Sequence, residues 1–390
     1  MKTLKKKRIL DVVNGSSEFS KLWSLISIII GLVSTMPLHA STTCPVHGPV
    51  PADFQWGLVA YHVNLPGYDL HAADFKRIEQ NGIRWIRIDF AWGRIEPKQG
   101  GAFDFSYFDN LVAEAHRNGL HIAATLGNGY NTSMRPVAPL WTQKLTGPQY
   151  VAALSRYANA VTERYADDVD SWALENELQY SLVHVLLGWR HWVYSDETNQ
   201  NILRTLSQAV VLHDPSAQIV LTLSPMFSGW EGFVRQSAQR FRFDAVGLYS
   251  YPFAMSSAEP VGSEEQVAAQ ITLAKQASGG KAVVIFETGY PTPRRNFWTL
   301  REQSATARAY QATYVQTMIQ SAIDGGAMGI YFYEYLDNPE EWIPQERVFG
   351  LVESNRTPKP AWIRYREIIS ACSGPRIDQE ALLGRGELYF

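Results

Sequence analysis

The stretch Val169-Asp170-Ser171-Trp172-Ala173-Leu174-Glu175-Asn176-Glu177 is a short apolar run that breaks into polar residues at its end. It is too short for a core helix, which needs about 10–12 residues, and suits a buried strand. A carboxylate where such a strand meets solvent belongs to a working site more often than to a core. A second run of this kind, Ala282-Val283-Val284-Ile285-Phe286-Glu287-Thr288-Gly289-Tyr290-Pro291, places its glutamate 110 residues after Glu177. In the first run Glu175 and Glu177 both qualify as the strand-end carboxylate. Two buried strands, each delivering a glutamate at its carboxyl end, describe a paired-carboxylate enzyme.

The flanking sequence repeats one unit. A helix over 70–80 stops at Asn81-Gly82, a left-handed stop signal, and a strand over 83–89 starts at once. The next helix carries Phe108, Leu111, Val112 and Ala115 at helical spacing and stops at Asn118-Gly119, directly before a strand over 121–126. The same alternation predicts strands at 54–60, 169–175, 218–223, 244–248 and 327–333, and one from Ala282 that Glu287 closes. Helices are expected over 147–165, around 202–210, over 264–276, 304–323 and 360–369, with one more before residue 244. Eight strands each followed by a helix, with no break in composition, favour one closed (β/α)8 TIM barrel over an open doubly wound sheet. No Gly-rich phosphate fingerprint follows the first strand, as dinucleotide binding would require.

This barrel is expected to span 52–372 as a single domain, after a lead-in over 41–51 and before a tail over 373–390. Residues 1–40 have a basic head (Lys2, Lys5, Lys6, Lys7, Arg8), an apolar core over 22–33, Pro37 and a small residue at Ala40. That order is the order of an export signal, with a cut after Ala40 or an uncleaved membrane anchor as the two outcomes. An exported protein, periplasmic or extracellular, is expected. Cys44 and Cys372 flank the barrel, and either a disulfide closing it or two separate thiols fit that placement.

The net charge of −3 over 390 residues conceals an asymmetry. Beyond residue 40 the chain holds 29 basic and 36 acidic residues, so no basic field is left for nucleic acid. The 12 Trp and 19 Tyr exceed what core packing requires, and sugar-binding clefts use such aromatic faces. His62, His121, His184 and His191 lack metal-ligand spacing, and no Gly-x-Ser-x-Gly elbow occurs. No metal or other cofactor is expected.

In such a barrel the carboxyl ends of all strands share one mouth, so Glu177 after strand four and Glu287 after strand seven reach one cleft. Paired carboxylates suit glycosidic hydrolysis: one protonates the departing oxygen while the other attacks the sugar or activates water. Their separation decides between retention and inversion.

This layout over residues 52–370 resembles the clan A retaining glycoside hydrolases. Trp92-Gly93-Arg94-Ile95-Glu96-Pro97, with Phe103-Asp104-Phe105, Phe349-Gly350-Leu351-Val352 and Thr357-Pro358-Lys359-Pro360-Ala361-Trp362, is most similar to family 39 and its bacterial exopolysaccharide-processing relatives. Families 5, 42 and 53 are near competitors, and the segment 244–252 also resembles family 53. The resemblance implies that Glu177 is the acid/base and Glu287 the nucleophile. Asn176 would bond the sugar 2-hydroxyl, and Arg87 would keep the nucleophile ionised, as a guanidinium within about 4–6 Å does. The alternative reading of Arg87 is an ion-pair partner inside the barrel. Tyr251 matches the tyrosine beside the nucleophile, with Tyr249 competing. Leu178 stands where many relatives have proline, and Phe332 where they often have a tryptophan platform, leaving Tyr331 or Tyr333 to contact substrate. Trp189, Trp192 and Tyr194 are candidates for stacking on sugar rings or for burial against the barrel. The whole implies a monomeric, retaining glycoside hydrolase cutting a polysaccharide or oligosaccharide internally. A silent carbohydrate-binding barrel and a transglycosylase are the alternatives.

Overall fold

Successive strand residues point to opposite faces, and in this chain both faces are apolar, so every strand must be covered on two sides. A computed structural model shows how. It describes residues 43–61, 70–127, 138–176, 178, 196–226, 228–252, 264–292, 304–341 and 344–373. Eight parallel strands, β1 (Gln55–Tyr61), β2 (Trp85–Asp89), β3 (His121–Leu126), β4 (Ser171–Leu174), β5 (Gln218–Leu223), β6 (Ala245–Tyr249), β7 (Ala282–Thr288) and β8 (Gly329–Phe332), pair in sequence order. β8 pairs back onto β1, with Trp56 opposite Ile330, so the sheet closes into the expected barrel.

Among the described residues, eight principal helices alternate with the strands: α1 (Ala72–Gln80), α2 (Ser106–Arg117), α3 (Gly147–Tyr165), α4 (Asp196–His213), α5 (Trp230–Ala238), α6 (Glu264–Ala277), α7 (Ala305–Asp324) and α8 (Pro360–Cys372). A single turn at Trp92–Ile95 precedes α2. Thr146 and Gln149 form a reciprocal capping box at the start of α3, and Ser304 caps α7 by accepting from the Ala307 N–H at 3.1 Å.

The alternation sorts the core into two clusters. Leu58, Trp172, Leu174, Ile285, Ile330 and Phe332 face the helices. Val59, Ala123, Ala173, Val220, Val284, Phe286 and Tyr331 face the axis. Small inward residues on β3, β4 and β6 make room for the rings of Phe286 and Tyr331. Gly57 on β1 is required for this, since a Cβ there would sit 2.5 Å from the Tyr331 ring.

Cys44 and Cys372 are joined by a disulfide across 328 residues, which decides the question their spacing left open. The lead-in lies along α7, where Gln320 accepts from the His47 N–H at 2.7 Å and donates to its carbonyl at 3.1 Å. Gln316, one turn earlier, donates to the Pro45 carbonyl at 3.2 Å. Residues 1–42, which carry the export and anchor expectations, and 374–390 fall outside the described part. Among the described residues, no helix is long and apolar enough to cross a membrane.

Candidate active site

Above the apolar layers the barrel axis turns polar at the carboxyl ends of the strands. Arg87 on β2 is fully buried there. Its Nε donates to Asp89 Oδ1 and to Thr125 Oγ1, each at 2.9 Å, and Nη2 reaches Asp89 Oδ2 at 3.2 Å. Nη2 also donates to Asn176 Oδ1 at 2.9 Å, and Nη1 donates to Glu287 Oε2. The guanidinium lies 5.2 Å from the Tyr249 ring centroid and 5.4 Å from that of Phe286. Burial opposes its charge, but Asp89, Tyr249 and Glu287 around it hold its pKa well above the ordinary arginine value. It is a permanent cation, and the ion-pair role read from sequence alone is part of what it does.

Glu287 reaches this cation against the alternation of its own strand. Val284 and Phe286 face the axis, so residue 287 should face the helices beside Ile285. The pairing of β7 with β6 slips at this point: Leu248 sits opposite Ile285, but the next residue, Tyr249, sits opposite Glu287. Such an irregularity re-aims the side chain after it. Phe286 and Glu287 therefore both face inward. The hydroxyl of Tyr251 donates to Glu287 Oε1 at 2.7 Å, so each carboxylate oxygen has its own donor. Burial first, then Glu287, pushes the Tyr251 hydroxyl well above the usual phenol range, keeping it a donor. Tyr251, rather than Tyr249, is the tyrosine at the carboxylate.

Strand β8 decides between its aromatics. Phe332 packs outward, edge-on to Tyr365 of α8 with centroids 4.9 Å apart, and so holds no platform position. Tyr331 lies deeper on the axis, its hydroxyl 3.1 Å from Gln55 Oε1. Tyr333 stands at the mouth, edge-on to Phe349 at 5.3 Å, and its hydroxyl donates to Glu346 Oε2 at 3.2 Å. Phe349 also meets Tyr251, at 6.0 Å, and so ties the two tyrosines together.

The structure thus brings together Arg87, Asn176, Glu287 and Tyr251, with Tyr333 beside them. Glu175 is turned away from the group, toward Gly127 and Leu206. Glu177, Trp189, Trp192 and Tyr194 lie outside the described residues. Asp89, Thr125 and Glu346 were not singled out from sequence, and Phe349 entered there only as part of a motif with no role in the site. Asp89 was within reach, because it is two residues beyond Arg87 on the same strand face.

Comparison with known proteins gives one partial family match and several likenesses of fold. The family profile described as β-galactosidase, glycoside hydrolase family 42, matches residues 61–144, a stretch that holds β2 and β3 with Arg87, Asp89 and Thr125. No curated protein matches the chain. Among solved structures, the GH5_18 protein from Streptomyces cattleya in complex with GlcNAc superposes with a TM-score of 0.66 at 18% identity, covering 85% of this chain and 82% of that one. The family 1 β-glucosidase from Thermotoga maritima gives 0.65 at 14% identity, covering 83% and 99%. A β-glycosidase gives 0.63 at 18% identity, covering 85% and 99%.

The chain shares the eight-stranded barrel fold of these glycosidases.

In this barrel the polar layer has a definite chemical capacity. A carboxylate whose oxygens are both fixed by donors, and which a permanent cation compensates, is pre-aimed rather than free to rotate. Among the described residues no group of three or more His, Cys, Asp or Glu is placed to hold a metal ion.

Proposed function

We propose that the chain is a retaining β-glycoside hydrolase with Glu287 as nucleophile and Glu177 as acid/base. The observation that carries this is the fixation of Glu287 by Arg87 and Tyr251 with Asn176 on the same guanidinium. In the first step Glu287 Oε attacks the anomeric carbon as the glycosidic bond breaks, and Glu177 delivers its proton to the departing oxygen. A glycosyl ester of Glu287 results. In the second step Glu177 takes a proton from water, which attacks the same carbon and releases Glu287. Asn176, held by Arg87, presents its amide nitrogen to the sugar. Tyr333 and Phe349, packed edge-on beside Glu287, form the wall of the site.

The segments that follow β3, β4, β6 and β7 are long, which suits a cleft taking a chain of sugars. We place the substrate among bacterial exopolysaccharides, cut internally by an exported monomer. Within the clan, the resemblance of segments 92–97, 349–352 and 357–362 supports a kinship with family 39.

The test is an activated 2-deoxy-2-fluoro-β-glycoside in the gluco, galacto and manno configurations, followed by peptide mass spectrometry. The expected result is a stoichiometric label on Glu287, together with loss of aryl β-glycoside turnover in Glu287→Gln. Turnover that survives in Glu287→Gln overturns the assignment. Product sizing on polysaccharides then tests internal cleavage, for which long oligosaccharides appear first.

A further inference from the structure

We propose that Glu175 is a positioning residue: its left-handed backbone turn, secured by its own carboxyl seated beside Gly127, aims Asn176 at Arg87. The proposal rests on the glycosidase reading for its kinetic consequence but not for its geometry.

Along β4, Trp172 and Leu174 face the helices and Ala173 faces the axis. Continued alternation would send Glu175 to the axis and Asn176 to the helices. The opposite is found. Asn176 meets Arg87 at 2.9 Å, and the Glu175 carboxyl lies on the helix side. The inversion happens at Glu175, whose φ is +60°, a region non-glycine residues seldom occupy.

Three contacts secure the turn. The Glu175 N–H donates to the Leu126 carbonyl at 2.9 Å. The Thr222 hydroxyl on β5 reaches the carbonyls of Leu174 and Glu175, at 3.0 and 2.7 Å. The carboxyl fills the space that a side chain at residue 127 would take: a Cβ on Gly127 would sit 2.9 Å from Glu175 Oε1 and 2.9 Å from Leu206 Cδ1. Gly127 itself has φ +101°, so residues 127 and 175 form a matched pair. Tyr157, fully buried, borders the same niche, and burial together with Glu175 raises its pKa well above the phenol range.

A glycine at 175 would permit this turn without holding it. Glutamate holds it, because a side chain long enough to reach the Gly127 niche fixes where the backbone must go. Residue 175 therefore acts on the reaction through Asn176.

The test uses full-length Glu175→Ala, Glu175→Gly, Glu175→Gln and Gly127→Ala, with crystal structures and kinetics on a 2,4-dinitrophenyl β-glycoside and its 2-deoxy analogue. In Glu175→Ala the bond from Arg87 to Asn176 is expected to be lost, with kcat down about 100-fold and KM nearly unchanged, as for a displacement of about 1 Å. The loss shrinks on the 2-deoxy substrate, which has no hydroxyl for Asn176 to hold. Gln restores most of kcat, and Gly127→Ala reproduces the Ala variant. A role in stability alone would lower Tm while leaving kcat of the folded protein intact. Wild-type kcat with Asn176 still on Arg87 in either Glu175→Ala or Glu175→Gly overturns the proposal. Should Ala fail to fold, Gly tests it, since it accepts the turn but lacks the carboxyl. Should the wild type turn over no glycoside, the glycosidase reading fails, and the position of Asn176 in the variant structures still decides this one.

Discussion

Arg87 and Glu287, 200 residues apart in the chain, are bonded to each other on the axis of the barrel. The bond spans β2 and β7, and the same guanidinium holds Asn176 at the end of β4. One side chain therefore sets the mutual position of the groups assigned to attack and to sugar binding, and it does so out of contact with water.

Removing that side chain should cost more than activity. Arg87→Ala leaves Asp89 and Glu287 buried without their cation, a loss of about 3–5 kcal/mol. Urea unfolding followed by circular dichroism measures it. Arg87→Lys keeps the charge but loses the planar fork, so it is expected to fold more stably than Ala while remaining catalytically impaired.

Tyr251→Phe tests the other oxygen of Glu287. The 2.7 Å hydrogen bond is lost while the ring contact with Phe349 stays. A bond to a charged group contributes about 1.5–3 kcal/mol, so kcat/KM should fall roughly 10- to 150-fold and Tm by a few degrees. Steady-state kinetics and differential scanning fluorimetry on one preparation separate the two effects.

Asp74 gives the fold an acid-labile clasp. Burial pushes its carboxyl upward, but Arg356, the His71 N–H and Tyr335 outweigh that and hold it below the ordinary aspartate value of 3.8. A depressed folded pKa means stability that is present above pH 3.8 and fades as the pH drops through the folded value. Asp74→Asn is thus expected to be less stable than wild type by about 2 kcal/mol at neutral pH. The difference should close in strong acid, as unfolding curves between neutral pH and pH 2 will show.

The disulfide is expected to act on the unfolded chain. It closes a loop of 328 residues, and such links typically contribute about 2–4 kcal/mol. Cys44→Ser with Cys372→Ser should lower Tm by several degrees and abolish the effect of reductant on the melting curve.

The barrel was legible because its signals are local. Asn-Gly stops and apolar periods mark the ends of helices and strands, and strands expected over 121–126 and 218–223 are observed with those bounds. The aim of the site was less legible. Period two places Glu287 and Asn176 on the wrong faces, and both are corrected by events outside the period: a pairing slip against β6 and a left-handed residue at 175. Neither leaves a mark in composition. Resemblance supplied the residues, and the backbone supplies the reason they point inward. The choice among Tyr331, Phe332 and Tyr333 likewise depended on strand phase, which a run of aromatics does not reveal.

The tie between Cys44 and Cys372, 4.8 Å apart at Cα, makes the barrel a ring with an arbitrary starting point. A circular permutant can therefore join the two ends with a short linker and reopen elsewhere, as proteins with adjacent termini tolerate. The exposed turn at Gly279 and Gly280, where an added Cβ would meet nothing within 4 Å, is a suitable opening. It lies between α6 and β7, at the opposite end of β7 from Glu287. New ends placed there would offer a fusion point remote from Glu287 and Arg87.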